Sequence, residues 1–190
     1  MSPVKKPIVL AIVLVLVLAA SGIAFAVVNA AERDAAPDVA AAGEEKEEAG
    51  AAIFPDFTVQ TVDGELVSLS DMKGKPVVIG YWATWCPYCV DEAPAIQALY
   101  ETYGENVNFM MIDLVDGEQE TVESGSAWIE EQGYTYPVYY DLTGDAAYAG
   151  SVYYLPTTFI LDAEGKVVVY SESAVSFAEV SDVLASLLTK

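Results

Sequence analysis

Residues 81–94 read YWATWCPYCVDEAP and hold both cysteines of the 190-residue chain, Cys86 and Cys89. Immediately before them, PVVIGYW (76–82) is a continuous apolar run of the kind that forms a buried central strand. After them, Ala, Ile, Leu and Tyr recur at helical spacing to about residue 103, and Gly104 offers a stop. The two thiols therefore stand where a buried strand gives way to a helix. A helix N-terminus stabilises a thiolate through its orphan N–H groups and dipole, and only the first cysteine receives that benefit in full. Cys86 is expected to be the exposed nucleophile of lowered pKa. Cys89, one turn in and partly buried, is expected to resolve a mixed disulfide. Pro87 suits the first helical turn, where its missing N–H costs nothing. Trp85 is expected to be exposed and to face substrate, and Tyr88, between the thiols, to influence their redox poise. Trp82 fits core packing as well as it fits substrate contact.

Three other readings of the pair are weaker. A structural staple between residues three apart closes so short a loop that it removes little unfolded-state entropy. A metal site needs further ligands, and the sequence has no other cysteine and no histidine. Chance spacing of two core cysteines does not explain their place at the start of a helix after a buried strand. No metal and no cofactor beyond the Cys86–Cys89 disulfide itself is expected.

Composition narrows the partners. With 29 acids against 8 bases the net charge is −21, which argues against nucleic acid, whose phosphates must be neutralised by Lys and Arg. Without histidine, a Ser-His-Asp triad or a Cys-His pair cannot be assembled. The charge is also unevenly placed: Lys5 and Lys6 precede an uncharged stretch, and every acid lies at or after Glu32. Residues 8–28 (IVLAIVLVLVLAASGIAFAVV) are predominantly apolar and would span roughly 30 Å as a helix, enough to cross a bilayer. The expectation is a single-pass anchor in residues 1–30, with the N-terminus cytoplasmic and the acidic body on the extracytoplasmic side. The alternative is a signal peptide cleaved near Ala30, for which the apolar run is long. Residues 31–52, rich in Ala and Glu and without an aromatic residue, read as an acidic linker.

The folded domain is expected over 53–190. Residues 57–69 (FTVQTVDGELVSL) alternate with period two around Asp63-Gly64, a hairpin signal. VNFMMID (107–113) reads as a second buried strand, and 121–132 as a helix ending at Gly133. Residues 138–141 form a short strand. Strands at 157–161 and 166–171 flank the turn Asp162-Ala163-Glu164-Gly165, and an amphipathic helix runs over about 177–188. The class is α/β, a central mixed β-sheet flanked by helices with an N-terminal β-hairpin extension. The tyrosines at 134, 136, 139 and 140 read as strand packing.

The run from Trp82 to Cys89 (WATWCPYC), Glu92-Ala93-Pro94, and LPTTFILD with Gly165 further on (155–165) together resemble the TlpA/ResA-like branch of the thioredoxin superfamily. The resemblance covers about residues 53–190 and implies a thioredoxin-like fold. It implies a membrane-anchored, extracytoplasmic thiol-disulfide oxidoreductase, many of whose relatives reduce disulfides for cytochrome c maturation. Pro156 is then a cis proline facing the cysteines, with Leu155 presenting its backbone to a substrate cysteine. Glu92 corresponds to an acid beside the cysteines. If desolvated, it would have a raised pKa and exchange protons with Cys89; the other reading is a solvated helix glutamate. Pro94 should kink the helix.

Protein thiols and disulfides are the expected substrates, with a membrane thiol relay as electron donor. Two alternatives stand beside a reductase: a dithiol oxidase of the same fold, and a non-catalytic thioredoxin-like binding module. A peroxidase relative is disfavoured because IGYWATW (79–85) replaces the peroxidatic Pro-x-x-x-Thr/Ser-x-x-Cys pattern before Cys86.

Overall fold

The computed structural model describes residues 52–189. The anchor expected at 1–30 and the linker expected at 31–52, apart from Ala52, lie outside the described residues. Among the described residues no helix is long and apolar enough to cross a membrane.

Seven strands form one sheet: β1 Thr58–Gln60, β2 Leu66–Ser68, β3 Val77–Trp82, β4 Asn108–Leu114, β5 Val138–Asp141, β6 Thr157–Leu161 and β7 Val167–Ser171, in the order β2-β1-β5-β4-β3-β6-β7. The helices are α1 Pro87–Tyr103, α2 Val122–Gln132, the short α3 Asp145–Ala149 and α4 Phe177–Leu188. β3 pairs in parallel with β4 and antiparallel with β6, so the sheet is mixed, as the pattern of elements implied. β1 and β2 form the expected hairpin. Its loop is longer than the two residues Asp63-Gly64, because Thr61 N–H bonds Glu65 C=O and Gly64, at φ +86°, donates to Thr61 C=O.

The apolar strands alternate between two cores because successive side chains leave a strand on opposite faces. Val78, Phe109, Met111 and Ile160 pack with Ile96 and Leu99 of α1 and Val180 and Leu184 of α4; Trp128 and Ile129 of α2 flank this core. Val77, Ile79, Tyr81, Met110, Ile112 and Phe159 pack on the other face, with Phe54, Phe57, Leu69 and Ala146. Two short elements escaped the sequence reading, the 3-10 turn Leu69–Met72 and α3. Each is shorter than the window in which helical periodicity shows. α3 is held from outside itself, by Asp141 accepting the Ala147 N–H at 2.9 Å and by the buried Tyr81 hydroxyl donating to Ala146 C=O at 2.9 Å.

The helix ends follow local chemistry. Ser176 and Glu179 close a capping box on α4, and Thr121 with Ser124 does the same on α2, which stops at Gly133 in the left-handed conformation (φ +73°). The register Tyr81 with Thr157 brings the start of β6 to the C-terminal end of β3, where the cysteines emerge.

Leu184 is fully buried where α4 meets α1 and the sheet. Leu184→Ala should cost about 3 kcal/mol, the usual range for a large-to-small change in a packed core. Urea unfolding of the variant against the parent chain measures this, and an unchanged midpoint would mean that α4 does not close the core.

Candidate active site

β3 is buried along its whole length and ends at Trp82, after which the chain turns: Cys86 N–H donates to Ala83 C=O at 3.2 Å, and α1 begins at Pro87. Cys86 is the N-cap of α1. Its Sγ accepts the Cys89 N–H at 3.2 Å, and its carbonyl accepts those of Cys89 and Val90 at 3.1 Å. Sγ thus occupies the place of a capping oxygen, so negative charge on it is met by an orphan amide and the positive end of the helix dipole. Cys86 and Cys89 are joined as a disulfide, with Cα atoms 5.3 Å apart.

One expectation fails here. Cys86, expected at the surface, is only 3% exposed, slightly more buried than Cys89 at 4%. Both residues belong to the core cluster of Trp82, Ile96 and Val107. What stands out at the motif is aromatic. Trp85 is 49% exposed, as expected, and Tyr88 67%. Trp82 is buried and packs on Trp128, with ring centroids 5.3 Å apart, so its role is in the core.

Glu92 is buried, which decides between its two readings. At 5% exposure on α1, one turn after Cys89, it has lost most of its water. Burial pushes its pKa up to about 7, opposed by the Val175 N–H that donates to Oε1 at 2.7 Å. A carboxyl that titrates near neutrality and neighbours Cys89 at i+3 can take up and return a proton. Pro94 lies inside α1 and has no N–H to give the preceding turn.

The Leu155–Pro156 peptide bond is cis, as the resemblance implied. Pro156 is buried at the start of β6, and Leu155, half-buried, touches both cores. The neighbouring Tyr153 and Tyr154 are exposed. The tyrosines at 134 and 136 stack on each other with centroids 5.3 Å apart, and Tyr136 is buried in the core with α1, consistent with packing. A groove of about 920 Å³ between residues 55–58 and 145–153 includes neither cysteine.

The sequence reading missed three residues behind the turn. Thr84, within the turn itself, gives both its N–H and its hydroxyl to Glu120, and Asp113, at the end of β4, is fully buried beside Trp82 in register. The signal was present: an acid at the end of the apolar run VNFMMID cannot be solvated there.

The AhpC/TSA family matches this chain over residues 51–170. The chain belongs to that family. It is 35% identical over 111 residues to the thioredoxin-like protein YneN of Bacillus subtilis (strain 168), a match that covers 58% of this chain and 64% of YneN. It is 34% identical over 126 residues to the thiol-disulfide oxidoreductase ResA of Bacillus thuringiensis subsp. konkukian, covering 66% of this chain and 70% of ResA. Its fold is similar to that of the pneumococcal exposed lipoprotein thioredoxin Etrx1 of Streptococcus pneumoniae, with a TM-score of 0.61 at 27% identity over 70% of this chain and 100% of Etrx1. Within the AhpC/TSA family the chain therefore groups with thioredoxin-like thiol-disulfide oxidoreductases of the ResA kind, the group its motifs resemble.

The buried Glu92 makes the stability of the domain depend on pH. Its folded pKa, about 7, lies above the ordinary glutamate value of 4.5, so its contribution is fully present below about 4.5 and is lost as pH rises towards 7. Glu92→Gln keeps an acceptor for Val175 and removes that loss. The variant should match the parent near pH 4.5 and exceed it by up to about 3 kcal/mol at pH 8. Urea midpoints at pH 4.5, 6 and 8 test this; a constant difference would mean that Glu92 is solvated.

Proposed function

We propose that this chain is an extracytoplasmic, membrane-tethered protein-disulfide reductase that works by dithiol exchange at Cys86 and Cys89. The observation that carries the reading is a cysteine pair capping α1 with the buried, near-neutral Glu92 one turn behind. In the reducing direction, the Cys86 thiolate attacks one sulfur of a substrate disulfide. A Cys86–substrate bond forms, and the other substrate sulfur leaves as a thiolate. Cys89 then loses its proton to Glu92 and attacks Cys86 Sγ; the mixed disulfide breaks, and the second substrate thiolate leaves and takes up a proton. Two electrons have passed from the dithiol to the substrate, and the Cys86–Cys89 disulfide of this structure is the product state.

Trp85, Tyr88 and the backbone of Leu155 beside Pro156 are the surface on which the substrate would lie. Because Cys86 is buried in the disulfide form, a donor must reach it through that aromatic rim, and reduction must free its side chain to turn outward. A membrane thiol relay is the donor we propose, with the tether supplied by residues 1–30. Cytochrome c maturation is a fitting client process for a reductase of this kind.

The reducing direction rests on charge. No Lys or Arg flanks CPYC and acids follow it, which leaves the Cys86 thiolate less stabilised than in a strong oxidant. A reduction potential near about −270 mV, the thioredoxin value, is expected; one near about −120 mV would make the protein an oxidase.

Cys86→Ser should abolish disulfide exchange, and Cys89→Ser should accumulate a covalent mixed disulfide with substrate. Insulin reduction and non-reducing gels read the two effects. In the reduced parent chain Cys86 should be alkylated before Cys89. A Cys86→Ser variant with undiminished turnover, or a reduced Cys86 closed to alkylation, would defeat the assignment and leave a binding module.

A further inference from the structure

Behind the CPYC turn lie two acids that the exchange steps do not use. Glu120 is fully buried, and its carboxylate takes three donors: the Thr84 N–H at 2.7 Å and hydroxyl at 2.6 Å on Oε2, and the Ser124 hydroxyl at 2.7 Å on Oε1. The loop that carries Glu120 is itself fixed, since Asp116 Oδ1 accepts the N–H groups of Glu118, Gln119 and Glu120 at 2.8, 2.7 and 2.9 Å. Thr84 sits inside the turn that Cys86 N–H closes onto Ala83. Glu120 thus grips the turn that presents the nucleophile.

Asp113 is the opposite case. It is fully buried, and neither of its oxygens has a hydrogen-bond partner. Register sets it between Trp82 of β3 and Tyr140 of β5, and α2 lies so close that a Cβ on Gly125 would overlap its Oδ2. The indole N–H of Trp82 is also without a partner. The titratable groups coupled to Asp113 are Glu120, on the loop before α2, and Tyr140, on β5; Trp82 and Gly125, its neighbours from β3 and α2, do not titrate. Burial first, and the charge of Glu120 second, push the Asp113 pKa up to about 8.

We propose that Asp113 is a positioning residue of the dithiol: buried without a partner between Trp82 and Tyr140, behind the turn that Glu120 grips at Thr84, its carboxyl is coupled to the redox state of Cys86 and Cys89. The inference rests on the thiol-disulfide reading of the CPYC turn and adds to it a second acid, separate from Glu92 on α1. The sign follows from charge. When Asp113 ionises, a second negative charge appears behind the turn and disfavours the Cys86 thiolate of the reduced protein, which favours the disulfide. The pair then becomes the stronger reductant above pH 8.

The test is the equilibrium of the full chain with the glutathione couple from pH 6 to 9.5, for the parent, Asp113→Asn and Glu92→Gln. Parent and Asp113→Asn should coincide below pH 7. Above pH 8 the parent should shift towards disulfide by about threefold in equilibrium constant, about 14 mV for two electrons. Glu92→Gln should bend above pH 8 as the parent does. Superimposed parent and Asp113→Asn curves through pH 9.5 would overturn the proposal, as would a shift in melting temperature with no bend in potential. The parent chain alone gives a second test that needs no variant to fold. By linkage, the Asp113 carboxyl, followed by infrared or carbon NMR, should titrate about half a pH unit higher in the reduced than in the oxidised protein. Equal midpoints overturn the proposal. If the parent chain does not exchange with glutathione at pH 7, the thiol-disulfide reading fails and this inference fails with it.

Discussion

The contact between Cys86 Sγ and the Cys89 amide organises the chemistry of this domain. It exists because β3, buried from end to end, delivers the chain to the edge of the sheet at Trp82, and because Pro87 can open a helix only a few residues later. A sulfur in the capping position does two things at once. It satisfies an amide that would otherwise be orphaned, and it places a future thiolate at the positive end of a seventeen-residue helix. The parallel pairing of β3 with β4 and the antiparallel pairing with β6 then decide what flanks the end of β3: Asp113 beside Trp82 on one side, and on the other the start of β6, which follows the cis Leu155–Pro156 bond.

The electrostatics of the site are built from acids and amides. Glu92, Asp113 and Glu120 are all buried near the turn, and each has been treated differently by the fold. Glu92 has one backbone donor and titrates near neutrality, Glu120 has three donors, and Asp113 has none and holds its proton to about pH 8. Burial raises both Glu92 and Asp113, and only at Glu92 does a backbone N–H, from Val175, oppose it.

Much of the architecture was legible in the chain. The apolar runs at 76–82 and 107–113, the stops at Gly104 and Gly133, the turn at Asp162–Gly165 and the periodicity of 177–188 each rest on local patterns that tertiary contacts reinforce. α3 was not legible, because five residues carry no periodicity and one of its supports, the Tyr81 hydroxyl, comes from a strand 65 residues earlier. The same distinction runs through the site. Cys86, Pro87, Cys89 and the cis bond at Pro156 were visible as motifs, whereas the grip of Glu120 on Thr84 spans 36 residues of sequence and leaves no mark at either end.

By itself the sequence determined that a dithiol would sit at a strand-to-helix junction, that no histidine could share in its chemistry, and that Glu92 would follow one turn after Cys89. The tertiary structure alone decided that Cys86 is covered when oxidised, that Glu92 is dry, and that Asp113 lies unpartnered beside Glu120. The physical reason is solvent. Spacing along a chain fixes which groups can meet, but the pKa of a carboxyl and the reach of a sulfur depend on how much water remains around them. That is set only when helices and strands from distant parts of the chain close over the site.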